Sequence, residues 1–207
     1  MRSNICKIEN GTKDLSAILK ESERVAEYNG LTGKQALQLR LLCEELDGML
    51  PNIIDDFSGS LWIDYDDGVC KINVSVKIPE LTASKKRGLI EISGNKKNAS
   101  AIGIVGKIRS AVEDFLLNEE EYVSSTSAGM LYPSAGCSEG VDYSYIWSLE
   151  QYRNTVNEET ETAAWDELEK SVIASVADDV IVGVKGSVAD IIIVKKLDKE
   201  IKYENSF

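Results

Sequence analysis

The chain has 207 residues, 43% hydrophobic and 28% charged, with 35 acids against 23 bases, a formal net charge of −12 and no histidine. Without imidazole, Ser-His-Asp, Cys-His and histidine-phosphotransfer chemistry is excluded within the chain, and Cys6, Cys43, Cys70 and Cys137 lie too far apart for a CxxC zinc or redox pair. The acidity argues against general nucleic-acid binding; no apolar run approaches the roughly 18 residues of a membrane span, and MRSNICKIEN has no signal-peptide pattern, so a cytoplasmic protein without a membrane segment is expected.

Length predicts one domain over 1–207. Between Thr12 and Asn29, Leu15, Ile18, Leu19, Val25 and Ala26 fall at helical spacing, with Thr12 or Asp14 to cap the start and Gly30 to end it. Thr32 with Gln35 has the form of a capping box opening a second helix, whose apolar stripe runs through Leu39, Leu42, Cys43, Leu46, Met49, Leu50 and Ile53. Pro51 predicts irregular backbone around Leu50 to Asp55. The period then changes to alternation, with Leu61, Ile63 and Tyr65 before Asp66-Asp67-Gly68 and Ile72, Val74, Val76 and Ile78 after it. This predicts a β-hairpin whose other face, carrying Lys71, Asn73, Ser75 and Lys77, meets water.

Residues 81–101 read as irregular and basic, with a short strand at Leu89–Ile92, and a helix is predicted over Gly103–Leu117. A long polar loop at about 118–141 follows, longer than most mere connections. Tyr145, Leu149, Tyr152 and Val156 predict a further helix, and Trp165, Leu168, Val172, Ile173 and Val176 another. The last elements are a hairpin, Val180–Val184 with Val188–Val194, turning at Lys185-Gly186-Ser187. The fold expectation is an α/β (α+β) two-layer sandwich, a mixed, mostly antiparallel sheet with helices on one face.

Two features carry chemistry. Between Lys85 and Arg109 stand seven cations against the single acid Glu91, with Gly103 and Gly106 at the start of a predicted helix, where free N–H groups and the helix dipole favour an anion such as phosphate. The bland alternative is solvated loop surface, with glycines that allow close helix packing. On the second helix Glu44, Glu45 and Asp47 cluster, and Glu45 shares a face with Gly48 and Asn52. A carboxylate there can orient water beside a nucleotide, or it can be the wet side of the helix. Trp62, Trp147 and Trp165 read as packing, and Asp66-Asp67-Gly68 as turn chemistry. Neither Gly-x-Gly-x-x-Gly, a Walker A motif nor Gly-x-Ser-x-Gly is present, and no residue is assigned as catalytic.

The order of helix, carboxylate-bearing helix, hairpin, basic glycine-containing segment, helix and final hairpin resembles the histidine-kinase-like ATPase superfamily (GHKL, the Bergerat fold), including its anti-sigma-factor and sensor-kinase domains. Leu39-Arg40-Leu41-Leu42-Cys43-Glu44-Glu45-Leu46 looks like the helix that carries that family's N box. The family's magnesium-holding asparagine, four residues after the glutamate, is replaced here by Gly48 or Met49, and no Asp-x-Gly-x-Gly box follows the hairpin at Pro79-Glu80-Leu81. Ser100 to Ile108 resembles the glycine-containing lid. The resemblance implies a regulatory domain that binds ATP, ADP or another phosphorylated ligand without efficient turnover, through Glu45, Asn52, Gly103, Gly106 and Lys107, with no metal ligand assigned. A protein partner is expected. The alternatives are a pseudo-ATPase that has become a protein-interaction module, and a slow ATPase or kinase with its metal held by Asn52 or through waters and Glu45 as the catalytic candidate.

Overall fold

The computed structural model describes residues 1–11, 15–31, 33–54, 56–78, 103–117, 144–159, 171–185 and 187–197. In chain order these form β1 (Cys6–Glu9), α1 (Leu15–Tyr28), α2 (Lys34–Ile53), β2 (Ser58–Asp66), β3 (Val69–Lys77), α3 (Gly103–Leu117), β4 (Ser144–Ser148), α4 (Leu149–Glu159), α5 (Val172–Val176), β5 (Asp179–Lys185) and β6 (Val188–Lys196). The strands make one six-stranded sheet in the order β1-β2-β3-β6-β5-β4. Every pairing is antiparallel, and the two hairpins, far apart in sequence, become neighbours at β3 and β6.

Local chemistry sets the corners. The β2–β3 turn places Asp67 and Gly68 at φ 41° and 82°, the two left-handed positions that an Asp-Gly hairpin turn requires. At the end of α1, Gly30 (φ 67°) donates to the Glu27 carbonyl and Leu31 to that of Ala26, so the last free carbonyls are closed by a Schellman motif and Leu31 turns into the core. The next helix starts differently from the expected capping box. Its N-cap is Gly33, which has no side chain with which to cap; Thr32 lies outside the described residues. Pro51 does not break α2, which runs on to Ile53. In the last turn a proline forfeits one hydrogen bond near an end that is already short of partners.

Register explains the core. Leu61 faces Val74, Ile63 faces Ile72, Ile72 faces Ile193 and Val74 faces Ile191, while Val180 and Val182 complete the rows from β5. All of these are buried, as one face of a pleated sheet should be. Helix α2 touches α1, α3 and α5 and brings Leu39, Leu42, Leu46 and Leu50 to full burial. The other sheet face carries Trp62, Asp64, Lys71, Ser75, Asp190 and Ile192, all partly exposed, with Asn73 buried among them.

Two further segments differ from the sequence expectation. Residues 144–148 form a strand, so the helix foreseen from Tyr145 starts only at Leu149. The short strand β1 was not foreseen. The possible strand Leu89–Ile92, the helix cap at Thr12 or Asp14, the loop at 118–141 and Trp165 to Leu168 lie outside the described residues. Among the described residues, no helix is long and apolar enough to cross a membrane.

Candidate functional site

Helix α2 presents a buried stripe and, beside it, a half-buried polar edge that holds Glu44, Glu45 and Asp47. Burial raises the Asp47 carboxyl above its ordinary range. Glu44 takes a hydrogen bond from Arg40 Nε at 3.1 Å, and the same guanidinium reaches Glu23 of α1 at 2.7 Å, so Arg40 ties the two helices together. Glu45 forms no hydrogen bond or ion pair among the described residues. The two positions four residues beyond these glutamates diverge: Gly48 is exposed, and Met49 is 5% exposed within the core.

At the C-terminal end of α2, Asn52 donates its side-chain amide to the Gly48 carbonyl at 3.3 Å. Its own carbonyl accepts from Arg109 Nη1 of α3, also at 3.3 Å. Helix α3 opens on Gly103 at φ 75°, a left-handed conformation that other residues adopt only under strain. It then packs through Ile104, Ile108 and Val112, with Gly106 buried between the first two. Arg109 Nε is held by Glu113 at 2.8 Å.

Of the residues singled out from sequence, Asn52 and the glycine-bearing helix are thus brought together, and the cation that joins them is Arg109. Lys107 turns elsewhere. Its Nζ lies 5.3 Å from the ring centroid of Tyr152 on α4, within cation–π range, and that ring sits 6.1 Å from Trp147 of β4. Sequence reasoning counted Arg109 within the basic segment but foresaw neither its bond to Asn52 nor the contact of Lys107 with Tyr152.

A second feature is a shallow depression of about 280 Å³ lined by Glu9, Asn10, Asp56, Phe57, Ser58 and Lys77. Glu9, Ser58 and Lys77 form one cross-strand row. Its polar residues are exposed around the buried Phe57. Among the described residues, no group of three or more Cys, Asp or Glu side chains is arranged to hold a metal ion.

Compared with protein-family models, with curated proteins and with solved structures, the chain has no match.

Proposed function

We propose that the chain is a regulatory domain of the cytoplasm that binds a nucleotide or another phosphorylated ligand, without efficient turnover, where the end of α2 meets the start of α3. The observation that carries this reading is the junction itself: Asn52 is joined to Arg109 at 3.3 Å, and α3 begins on a left-handed Gly103 with Gly106 and Lys107 in its first turns. Early helical N–H groups suit an anion, and Arg109 stands at the junction itself. The order of α1, α2, hairpin, α3 and final hairpin, with helices packed against an antiparallel sheet, supports a Bergerat-like fold for the same reading. Turnover is not proposed, because the position where the resembled family holds its magnesium asparagine is Gly48 or Met49. The test is thermal melting with ATP or ADP, with and without magnesium. Ligand at a hundred times its Kd adds about 2.7 kcal/mol, roughly 5–10 °C for a chain of this size. No shift at millimolar nucleotide in either condition sinks the reading.

A second reading has its own observation. Met49 is 5% exposed in the core, so in the Glu45 register the space of a metal-holding side chain is given to packing. That favours a pseudo-ATPase acting as a protein-interaction module, for which nucleotide would be silent while a partner still binds.

A further inference from the structure

The two described cations near the start of α3 are held very differently. Arg109 is fixed by the Glu113 carboxylate at 2.8 Å and by the Asn52 carbonyl at 3.3 Å. Lys107 has no carboxylate or carbonyl partner among the described residues; its ammonium stands over the Tyr152 ring at 5.3 Å. At half-exposed sites such a contact is weak, and a lysine stem is long and jointed, so the ammonium can leave the ring at small cost. A phosphate offers it full charge instead of a ring face.

We propose that Lys107 is a parked cation: it rests on Tyr152 while the site is empty and swings to the phosphate of the ligand when the site fills, releasing Tyr152. This rests on the ligand reading given above and adds its regulation. The released ring belongs to α4 and packs at 6.1 Å on Trp147 of the edge strand β4. Ligand occupancy at α3 is therefore reported to α4 and to β4, the strand beside it. The coupling is reciprocal. Whatever strengthens the hold of Tyr152 on Lys107 weakens ligand binding by the same factor, and whatever loosens it strengthens binding.

The experiment measures ADP binding to the full chain by calorimetry, with magnesium present and absent. Three variants are compared with the native chain: Tyr152→Leu, pentafluorophenylalanine at position 152, and Lys107→Met. The fluorinated ring keeps the shape of the side chain and reverses the charge of its face, so it carries the test if Tyr152→Leu does not fold. Removing the parking place should tighten ADP by about two- to fivefold, the worth of one cation–π contact at a partly exposed site. Lys107→Met should weaken binding, and in that background the change at position 152 should have no effect. Equal affinity for the native and fluorinated chains overturns the parking and leaves the ligand reading standing. Tightening that persists without Lys107 also overturns it. Absence of ADP binding to the native chain and to the fluorinated chain overturns both.

Discussion

Glu21 of α1 receives both the backbone N–H and the side-chain amide of Asn4, at 3.0 and 3.1 Å, so one carboxylate fastens the segment that leads into β1. Arg24 adds a third donor at 2.7 Å. Burial alone pushes the Glu21 carboxyl up; the Asn4 and Arg24 hydrogen bonds outweigh it, and the net shift is downward from 4.5. A carboxyl depressed in the folded state binds its proton more readily when unfolded. Its stabilisation is therefore complete above about pH 4.5 and lost as pH falls through the lower folded value. Glu21→Ala should cost about 2 kcal/mol near neutrality, since charged hydrogen bonds are removed from a buried site. Urea midpoints should show the gap between native chain and variant narrowing below pH 4.5; a gap that stays constant there contradicts this role.

Gly59 and Gly48 should respond oppositely to the same methyl group. A Cβ at Gly59 would overlap the Ser75 carbonyl and stand 2.8 Å from Val76 Cα, both backbone atoms of the adjacent strand. A Cβ at Gly48 meets nothing within 4 Å. Gly59→Ala should destabilise by about 2–3 kcal/mol, because the β2–β3 pairing must shift to make room. Gly48→Ala should stabilise by about 0.5–1 kcal/mol through helix propensity alone. Equilibrium unfolding of the two single variants decides the matter, and equal effects would refute the close approach at Gly59.

Why the hairpins and the first two helices were readable while β1, β4 and the site contacts were not follows from the range of each signal. Leu61 to Tyr65 and Ile72 to Val76 alternate over enough residues to fix a period, and Asp67-Gly68 marks its own turn. Strand β1 has four residues, of which only Cys6 and Ile8 are buried, too few to show alternation. In β4 the spacing of Tyr145, Leu149 and Tyr152 mimics a helix, although Ser148 marks where one ends and the other begins. The contacts of Asn4 with Glu21 leave no local mark in the sequence. The same holds for Arg109 on Asn52 and Lys107 on Tyr152. Such pairs depend on where the chain returns, and no local period records that.

Ser148 and Asp179 together cap the start of α4. Asp179 accepts from Ser148 Oγ at 3.2 Å, from the Glu150 N–H at 3.0 Å and from the Val180 N–H at 2.8 Å. Ser148 Oγ in turn lies 3.4 Å from the Gln151 N–H. A carboxylate facing the first free amides of a helix stabilises them by hydrogen bonding and by the helix dipole. Asp179→Ala should cost about 1–2 kcal/mol, and Asp179→Asn about half as much, because the amide still accepts. Hydrogen exchange at Glu150 and Gln151 should accelerate in the alanine variant. Unchanged exchange there would show that α4 is capped by other means.

The thiols of Cys6, Cys43 and Cys70 are buried and lie outside any disulfide. Burial raises the Cys43 thiol far above its usual range, helped by the nearby Cys70 and Cys6 thiols and the Glu44 charge. Burial also raises Cys70 to about 12, with Asp64 adding to the effect. At about pH 8 an ordinary exposed cysteine is partly thiolate and reacts readily, whereas Cys43 and Cys70 remain protonated and enclosed. In a Cys137→Ser chain, alkylation should therefore be slow in the folded state and should accelerate with urea in step with global unfolding. Mass spectrometry of the labelled chain should show that Cys43 and Cys70 react together, since both lie in the layer between α2 and the sheet. Prompt labelling of either, independent of urea, would mean that this layer opens without unfolding and that the packing of α2 on β3 is looser than its burial implies.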